Sequence, residues 1–364
     1  MKMKRLAICA TSFGLLFSPI NSQACTGLHL IAADGGVVAG RTMEFGFDIQ
    51  SDAIVVPAGT PISNSLSDPS KGMHYTSKWG MVGANALGKK IIVDGVNEKG
   101  LYVGTFYFAG EAGYADPASA DPSRSLAPED YGAWLLANFE NITQVKAHFQ
   151  DVTLLPHPIE EIGGISFPGH FIVRDSSGAS VVIEPINGQL KIYDNPLGVM
   201  TNTPSFDWHL TNLRNYINLS ATNVPAVKAA DIILNPTGQG SGMLGLPGDF
   251  TPPSRFIRAV FFSQNAEQNK TVEETVPQVF HIMNAFDIPR GAVREDQNGE
   301  VHADYTVWTS VSDLKNIRWA FRTYKNQSIR TIDVQKALAA AQDKIKTISM
   351  DSEQDILDVS TSFK

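Results

Sequence analysis

The amino-acid sequence predicts an α+β fold in which groups of strands are separated by groups of helices. Short apolar segments flank turn sequences such as Asn187-Gly188, a pair typical of a tight β-hairpin. Elsewhere apolar residues recur at helical spacing, most clearly over residues 131–149. The two kinds of segment do not alternate one by one. The pattern therefore favours stacked layers over a regular series of β–α–β units.

The N-terminal half is predicted to begin with a hairpin and to end with a helix. In chain order, the expected elements are strands at residues 25–32, 37–43, 91–93 and 101–108, and one helix at residues 131–149. Turns at residues 34–36 and 97–100 join the two strand pairs. Residues 116–128 are rich in Ala, Ser, Asp and Pro and are expected to form a loop.

The C-terminal half is predicted to contain a strand group and then a helix group. Its expected elements are strands at residues 171–174, 181–184 and 190–193, helices at 207–217, 255–266 and 273–285, a hairpin at 305–320, and a helix from residue 334 onward. The chain thus reads as strands, helix, strands, helices and strands, which agrees with a layered α+β fold.

The first 24 residues have the organisation of a secretory signal peptide. Lys2, Lys4 and Arg5 form a basic start, residues 6–17 are apolar and uncharged, and Ser22-Gln23-Ala24 is a small-x-small cleavage site. The apolar run is shorter than the roughly 18 residues needed to span a bilayer. We therefore expect cleavage between Ala24 and Cys25, export to the periplasm, and a single catalytic domain over residues 25–364.

Cleavage at that bond would make Cys25 the first residue of the exported protein. Cys9, the only other cysteine, lies within the signal, so the mature chain would carry one thiol and no intramolecular disulfide. The thiol would share its residue with a free α-amine, a base with an ordinary pKa of about 7.7–8.0. A nucleophile and a base on one residue suit amide hydrolysis.

Charge and motif content exclude several other classes of protein. Loss of the signal removes three basic residues and no acidic ones, which leaves 26 basic and 37 acidic residues and a net charge of −11. An acidic balance argues against a nucleic-acid partner. The glycine pattern at residues 240–245 lacks a preceding strand, and the one at 83–90 ends in Lys90 where a phosphate loop needs Ser or Thr. No cofactor or metal is expected.

A lipid anchor is the alternative use of a cysteine at this position. The pattern for lipid attachment calls for an aliphatic residue three positions before the cysteine, whereas Ser22 and Gln23 fit it poorly. A lipid-anchored binding protein without catalysis therefore stays open as the alternative of another class.

Five stretches of the mature chain, in order, carry a family resemblance. They are Cys25-Thr26, GRTME at residues 40–44, DGVNEKGL at 94–101, MTNTPSFD at 200–207, and GLPGD at 245–249 leading to SRF at 254–256. In these the sequence resembles the choloylglycine hydrolase family, which comprises N-terminal-nucleophile hydrolases such as penicillin V acylases and conjugated bile salt hydrolases. The exported Gram-negative branch is the more similar one. The resemblance implies an αββα four-layer sandwich with two stacked antiparallel sheets, and a homotetramer.

The resemblance also implies which residues carry the reaction. Cys25 would supply the thiolate and its α-amine would act as general base, giving a thioester acyl-enzyme. Arg41 and Arg255 would be the cations that favour the thiolate. Glu44 stands where the better-known Gram-positive members carry Asp, and it would orient the α-amine.

Two asparagines would bind the oxyanion of the reaction by the same resemblance. Asn202 would donate from its side-chain amide and Asn97 from its backbone N–H. Both residues also suit turns, which Asn favours, so a purely structural role is the alternative for each.

The acyl-binding side chains are expected among aromatic residues near the nucleophile hairpin. Phe45, Phe47 and Trp79 are the candidates, with core packing as the alternative for each. The expected substrate is a small acyl amide. Penicillin V acylase-like activity with N-acyl homoserine lactones leads, and conjugated bile salts come second.

Overall fold

A computed structural model describes residues 24–297 and 300–363. The predicted signal segment up to Gln23, including Cys9, lies outside the described residues. Across the described part of the chain, no helix is long and apolar enough to cross a membrane.

The first large sheet contains the predicted nucleophile hairpin. It comprises β1 (Cys25–Ile31), β2 (Val37–Phe45), β18 (Val293–Gln297), β19 (Glu300–Asp313), β20 (Arg318–Thr323) and β21 (Arg330–Asp333). Its order is β1-β2-β19-β20-β21, with β18 paired to β19, and the neighbouring strands are antiparallel.

The second large sheet is also antiparallel. It comprises β3 (Asp52–Val56), β6 (Met81–Ala84), β7 (Asp94–Asn97), β8 (Tyr102–Tyr107), β13 (Gly169–Arg174), β14 (Ser180–Ile186), β15 (Gln189–Asp194) and β22 (Lys346–Ser349). Its order is β15-β14-β13-β8-β7-β6-β3-β22. The β14–β15 turn has the positive φ angles, 52° at Asn187 and 79° at Gly188, that the Asn-Gly pair suits.

The remaining strands form small two-stranded pairs, and the helices cover the large sheets. The pairs are β4 (Pro61–Ser63) with β5 (His74–Thr76), β9 (Ser125–Leu126) with β10 (Thr153–Leu154), β11 (Pro158–Ile159) with β12 (Ile165–Ser166), and β16 (Val227–Ala229) with β17 (Ile232–Leu234). The helices are α1 (Tyr131–Asn138), α2 (Ile142–His148), α3 (Phe206–Leu213), α4 (Pro252–Asn265), α5 (Val272–Met283) and α6 (Val334–Ala341).

The large sheets stack face to face between helical layers. Helices α4 and α5 pack on the first sheet, while α1 packs on β7 and β8 of the second sheet. Gly27 lies where the sheets approach, since a Cβ there would sit 2.8 Å from the Phe106 ring. The result is an αββα sandwich with two hydrophobic cores. One core lies between the two sheets and extends to α4 and α5, and the other lies under α1 and α2.

A buried carboxylate joins the two sheets near their centre. Asp94 of β7 accepts hydrogen bonds from Tyr102 Oη at 2.5 Å, Ser310 Oγ at 2.8 Å and Trp319 Nε1 at 2.7 Å. Two of these donors belong to the opposite sheet. Buried charge of this kind is tolerable when it is fully hydrogen-bonded, and here it sets the register of β7 against β19 and β20.

The prediction of one helix over residues 131–149 is wrong. The backbone is extended at Phe139, which ends α1, and the Asn141 side chain caps α2 by accepting from the Gln144 N–H at 3.0 Å. Residues 91–93 also lie just outside a strand, because β7 begins at Asp94. After α6 the chain returns as β22 at the edge beside β3, which the helical interpretation of the tail missed.

Candidate active site

Cys25 is the first residue of β1 and lies between the two sheets. Only 2% of its surface is exposed. The β1–β2 register places it opposite Met43, whose Sδ is 3.9 Å from the Cys25 Sγ. In the unprocessed chain its nitrogen still forms the peptide bond to Ala24, and the Ala24 carbonyl accepts from the Glu44 N–H at 3.0 Å.

Arg41 holds a fully buried guanidinium against the thiol. Its Nη2 lies 3.2 Å from the Cys25 Sγ, and its Nη1 donates to the carbonyls of Val93 and Thr105, each at 2.9 Å. The Phe106 ring packs on the guanidinium with its centroid 4.5 Å away. These carbonyls and this ring orient the cation, so its charge is directed at the sulfur.

Opposing effects set the ionisation of Cys25. Burial is the largest and raises the pKa of the thiol, while the charges of Arg41 and Arg255 lower it and that of Glu44 raises it. Because burial dominates, the pKa stands above its ordinary value. The arginines therefore offset part of the burial effect and do not make the thiol unusually acidic in the unprocessed chain.

Asn202 and Arg255 hold the main chain of the nucleophile. The Asn202 Oδ1 accepts from the Cys25 N–H at 2.7 Å and from Arg255 Nη2 at 2.8 Å. Arg255 Nη1 also donates to the Cys25 carbonyl and, at 2.9 Å, to Thr26 Oγ1. Burial lowers the pKa of Arg255 to about 10, which leaves it charged at neutral pH. The nitrogen that cleavage would convert into an amine is thus already held in place.

Two buried histidines support the loop that carries Asn202. His209 Nε2 lies 2.9 Å from the Asn202 carbonyl, and burial lowers the pKa of His209 to about 4, so a neutral ring donates this bond. His170 bridges the neighbouring Thr201 carbonyl at 3.0 Å and Glu184 Oε1 at 3.3 Å. Both contacts restrain the main chain of the loop.

Glu44 is a buried carboxyl on β2 close to the nucleophile. Its Oε1 accepts from Thr306 Oγ1 at 3.0 Å, whereas its Oε2 has no hydrogen-bond partner among the described residues. Burial raises the pKa of Glu44 to about 8, against the opposing charges of Arg255 and Arg41. The site therefore contains an acceptor whose hydrogen bonding is incomplete while Ala24 is still attached.

The expectation that the Asn97 backbone N–H binds the oxyanion is wrong. That N–H donates to the Leu101 carbonyl at 2.9 Å within the β7–β8 turn. The Asn97 Nδ2 donates to the carbonyls of Leu136 and Phe139, each at 2.8 Å. Asn97 therefore closes a turn and anchors α1, because a buried Asn in a tight turn satisfies several main-chain groups at once.

Tyr107 offers the backbone N–H that sequence reasoning missed. The Thr105 N–H points away from β13 and donates to the Val93 carbonyl at 2.8 Å. The Phe108 N–H points the other way and donates to the carbonyl of Pro168, the residue just before β13. Strand alternation turns Tyr107 to the same edge as Thr105. Its carbonyl accepts from Asn202 Nδ2 at 2.8 Å at that edge. A strand ending at residue 108 was predicted, but nothing local marked its edge as part of a site.

An apolar pocket opens beside the thiol. Phe45 lines it, as expected, together with Cys25, Met43, Ile49, Ala86, Leu87, Ile91, Val93, Thr105, Tyr107, Glu129, Ile159, Ile162 and Phe167. Small-molecule sites are typically lined by apolar side chains with a few polar groups among them. The walls suit an apolar acyl group whose carbonyl reaches the Cys25 Sγ.

The other two aromatic candidates do not line this pocket. Phe47 is 39% exposed and packs edge-on against Phe45 with ring centroids 4.6 Å apart. Trp79 lies beside the C-terminal end of α1, where its N–H meets the Ala137 carbonyl at 3.2 Å and Lys99 sits 4.1 Å above its ring. Closeness in sequence to the nucleophile hairpin did not predict the position of Trp79. This residue precedes β6 and lies on the face of the second sheet that α1 covers.

No group of three or more His, Cys, Asp or Glu side chains within the described residues could hold a metal ion. The groups gathered around Cys25 are two guanidinium cations, an amide and a carboxyl. These groups are able to stabilise charge on sulfur and on an oxyanion.

Comparisons with known proteins agree with this geometry. The sequence pattern of the family described as linear amide C–N hydrolases, choloylglycine hydrolase family, matches residues 25–347. A bile salt hydrolase/transferase of Clostridium perfringens is 32% identical over 317 residues, 86% of this chain and 93% of that protein. A penicillin V acylase of Pectobacterium atrosepticum is 26% identical over 358 residues, 92% of this chain and 88% of that protein.

A solved structure shares the fold over nearly the whole chain. The crystal structure of a mutant conjugated bile acid hydrolase from Clostridium perfringens has a TM-score of 0.81 at 31% identity, covering 92% of this chain and 100% of its own. The fold is therefore that of the N-terminal-nucleophile hydrolases. The chain belongs to the choloylglycine hydrolase family and is a hydrolase of linear amide C–N bonds.

Proposed function

We propose that Cys25 is the nucleophile and that cleavage after Ala24 makes its nitrogen the catalytic base. One observation carries this assignment. The Cys25 Sγ lines an apolar pocket with Arg41 Nη2 3.2 Å away, while the nitrogen of the same residue is held by Asn202 Oδ1 at 2.7 Å. A nucleophile, its counter-charge and a positioned nitrogen at a pocket wall match the requirements of acyl transfer.

The reaction has two halves. The thiolate of Cys25 attacks the amide carbonyl carbon, a C–S bond forms, and the carbonyl electron pair moves onto oxygen. The Asn202 Nδ2 and the Tyr107 N–H stabilise this oxyanion. The C–N bond then breaks as the α-ammonium gives a proton to the leaving amine. The free α-amine next takes a proton from water, the hydroxide attacks the thioester, and the thiolate leaves with the acid released.

Glu44 completes this arrangement after cleavage. Removal of Ala24 replaces an amide N–H by an ammonium group and frees the Glu44 N–H from the Ala24 carbonyl. A cation near Glu44 favours the carboxylate form of this residue. The Glu44 Oε2, which has no partner among the described residues, is then able to accept a hydrogen bond from the ammonium group. We assign to Glu44 the orientation of the α-amine.

The pocket suits an acyl amide whose acyl group is apolar. Its lining is almost entirely apolar, as is typical of sites that bind apolar ligand groups. We propose penicillin V acylase-like activity that extends to N-acyl homoserine lactones. Similarity to a penicillin V acylase over 92% of the chain supports this choice. Conjugated bile salts are the second candidate, which the 32% identity to a bile salt hydrolase/transferase favours.

Amine release from three amides tests the activity. Penicillin V, a long-chain N-acyl homoserine lactone and a glycine-conjugated bile acid are offered to protein purified from the periplasm. Cys25→Ala should abolish turnover, and Cys9→Ala is the matched control because Cys9 lies within the predicted signal. Turnover that survives Cys25→Ala, or a folded, correctly processed protein that cleaves none of the three, would contradict the proposal.

We propose export with cleavage between Ala24 and Cys25, which the basic start and apolar run of the first 24 residues support. Intact mass of the exported protein is the test. A chain that begins at unmodified Cys25 is expected. A lipid-sized mass increment would instead favour the anchored, non-catalytic alternative.

A homotetramer is the assembly we propose, and an exposed hairpin is its contact surface. The β16–β17 hairpin exposes Val227, Ile232, Ile233 and Leu234 by 52–67% each. Apolar groups exposed together in this way mark interaction surfaces. Ile233→Asp should lower the mass measured by light scattering, while Ile356→Asp in the exposed C-terminal segment should not. An unchanged mass in Ile233→Asp would remove the hairpin from the interface.

A further inference from the structure

The apolar pocket has one acidic side chain in its wall. Glu129 lies in a 3₁₀ turn, Pro128–Asp130, just before α1, and it is 3% exposed. Every other described residue of the lining is apolar apart from Cys25, Thr105 and the hydroxyl of Tyr107. A buried carboxyl at such a wall is costly unless hydrogen bonds compensate it.

Only half of the Glu129 carboxyl is satisfied. Its Oε1 pairs with His157 Nδ1, while its Oε2 is buried with no hydrogen-bond partner among the described residues. The adjacent carboxyl, Asp130, is fully engaged by the Ser65 N–H at 2.6 Å and Ser65 Oγ at 2.7 Å. The unmet acceptor therefore belongs to the residue that lines the pocket and not to its neighbour.

A purely structural role does not account for this arrangement. An acidic residue near a helix N-terminus is favoured by the helix dipole, and Glu129 holds that position. The dipole does not require the residue to contribute to the pocket wall, nor an oxygen without a donor. A buried acceptor without a protein partner needs a donor from elsewhere, either water or a group of the substrate, and among the described residues only Glu129 combines such an acceptor with a place in the pocket wall away from the reacting groups.

The chemistry of the missing partner follows from the acceptor. His157 donates to one oxygen, so the other oxygen needs a second donor. An unsubstituted acyl chain would cover Oε2 and leave it unmet, whereas a hydroxyl on the acyl group would donate to it. Sites built to hydrogen-bond a substrate hydroxyl discriminate against analogues that lack it, because the buried polar group is otherwise unpaired.

We propose that Glu129, held by His157, selects acyl groups that carry a hydroxyl where the chain or ring reaches this wall. The inference rests on the proposed amidase function and names the acyl class of the same site. It concerns specificity only, since Glu129 takes no part in breaking the amide bond.

The experiment compares matched acyl pairs. One pair is N-dodecanoyl and N-(3-hydroxydodecanoyl) homoserine lactone, and another is glycine-conjugated lithocholate and cholate. We expect wild-type kcat/KM to favour the hydroxylated member of at least one pair by about 10- to 100-fold, the range for a hydrogen bond to a buried charged group. The pair that responds identifies whether a fatty acyl or a steroid group supplies the hydroxyl.

Two substitutions assign the preference to the carboxyl. Glu129→Leu should abolish it by removing the acceptor, and Glu129→Gln should reduce it while keeping the shape of the side chain. Glu161→Gln is the matched control, because Glu161 is half exposed and pairs with Lys89 at 2.8 Å on the surface. The control should keep the wild-type ratio. A melting temperature recorded for each variant separates loss of stability from loss of selectivity.

Each alternative result has a distinct meaning. Equal turnover of both members of every pair, or an unchanged ratio in Glu129→Leu, would overturn the inference even if the melting temperature falls. No turnover of any amide by the wild type would count against the proposed function. Calorimetric binding of the same pairs to Cys25→Ala then tests the inference by itself, and equal affinities would overturn it.

Discussion

Replacing Arg41 by Met should make Cys25 markedly less reactive. Arg41 Nη2 lies 3.2 Å from the sulfur, and both groups are buried. At that distance, unit charges attract by about 1.3 kcal/mol in water and about 5 kcal/mol at an effective dielectric constant of 20. The smaller figure alone corresponds to about a tenfold change in the thiolate population. We therefore expect at least a tenfold loss of thiolate reactivity at neutral pH.

Alkylation of Cys25 by iodoacetamide across a pH series measures this directly. The midpoint should rise in Arg41→Met, because loss of the cation raises the pKa of the thiol further. Arg174→Met is the matched control. Arg174 is equally buried and also bridges two carbonyls, those of Leu28 at 2.8 Å and Gly198 at 2.7 Å, but it is not among the charges that act on Cys25.

Comparison of the two variants decides the argument. Both should lower the melting temperature, since each leaves buried carbonyls without a donor. Only Arg41→Met should shift the alkylation midpoint. An unshifted midpoint in Arg41→Met, or an equal shift in Arg174→Met, would refute the electrostatic role of Arg41.

Three further perturbations test other parts of the site. In the unprocessed chain, burial raises the pKa of Glu44 to about 8, so the stability that this group contributes should be greatest below pH 4.5 and fall by up to about 5 kcal/mol as pH rises through 8. Urea unfolding of Glu44→Gln should show a flatter pH dependence. Phe45→Leu should raise KM for a long acyl amide, whereas Trp79→Leu, outside the pocket, should not. Asn202→Ala should lower kcat by about 10²–10³, the typical cost of an oxyanion donor. Asn97→Ala should mainly lower the melting temperature, since its bonds serve the turn and α1.

The opposite outcomes would be equally informative. An identical pH slope in wild type and Glu44→Gln would show that Glu44 titrates normally. A KM that responds to Trp79 but not to Phe45 would place the acyl group elsewhere. A kcat loss in Asn97→Ala as large as in Asn202→Ala, without loss of stability, would restore Asn97 to the oxyanion site.

Local patterns were sufficient for the nucleophile hairpin. Strand composition on both sides of the turn at residues 34–36 predicted both strands, and the observed register places Cys25 opposite Met43. The Asn187-Gly188 turn was equally predictable from the sequence, because these two residues suit the left-handed backbone conformations that the turn contains. Features of this kind depend on neighbours within a few residues, which is why the linear sequence contains them.

The family resemblance identified the site residues that are far apart in the sequence. Arg41, Asn202 and Arg255 meet at Cys25 although as many as 230 residues separate them. No periodicity or spacing brings them together. The pairing of β1 with β2 places Arg41, the packing of α4 on β1 places Arg255, and the bridge between Gly27 and Met200 brings the Asn202 loop to β1.

The sequence by itself determined the α+β class, the hairpin that begins with Cys25 and the chemistry that a thiol beside an amine would support. Tertiary structure alone decided which strand edge meets the Asn202 amide, which aromatic rings line the pocket, and that Glu129 meets His157 across 28 residues. The physical reason is that hydrogen-bond donors and pocket walls are assigned by strand edges and layer contacts. These arise only when segments distant along the chain pack against one another.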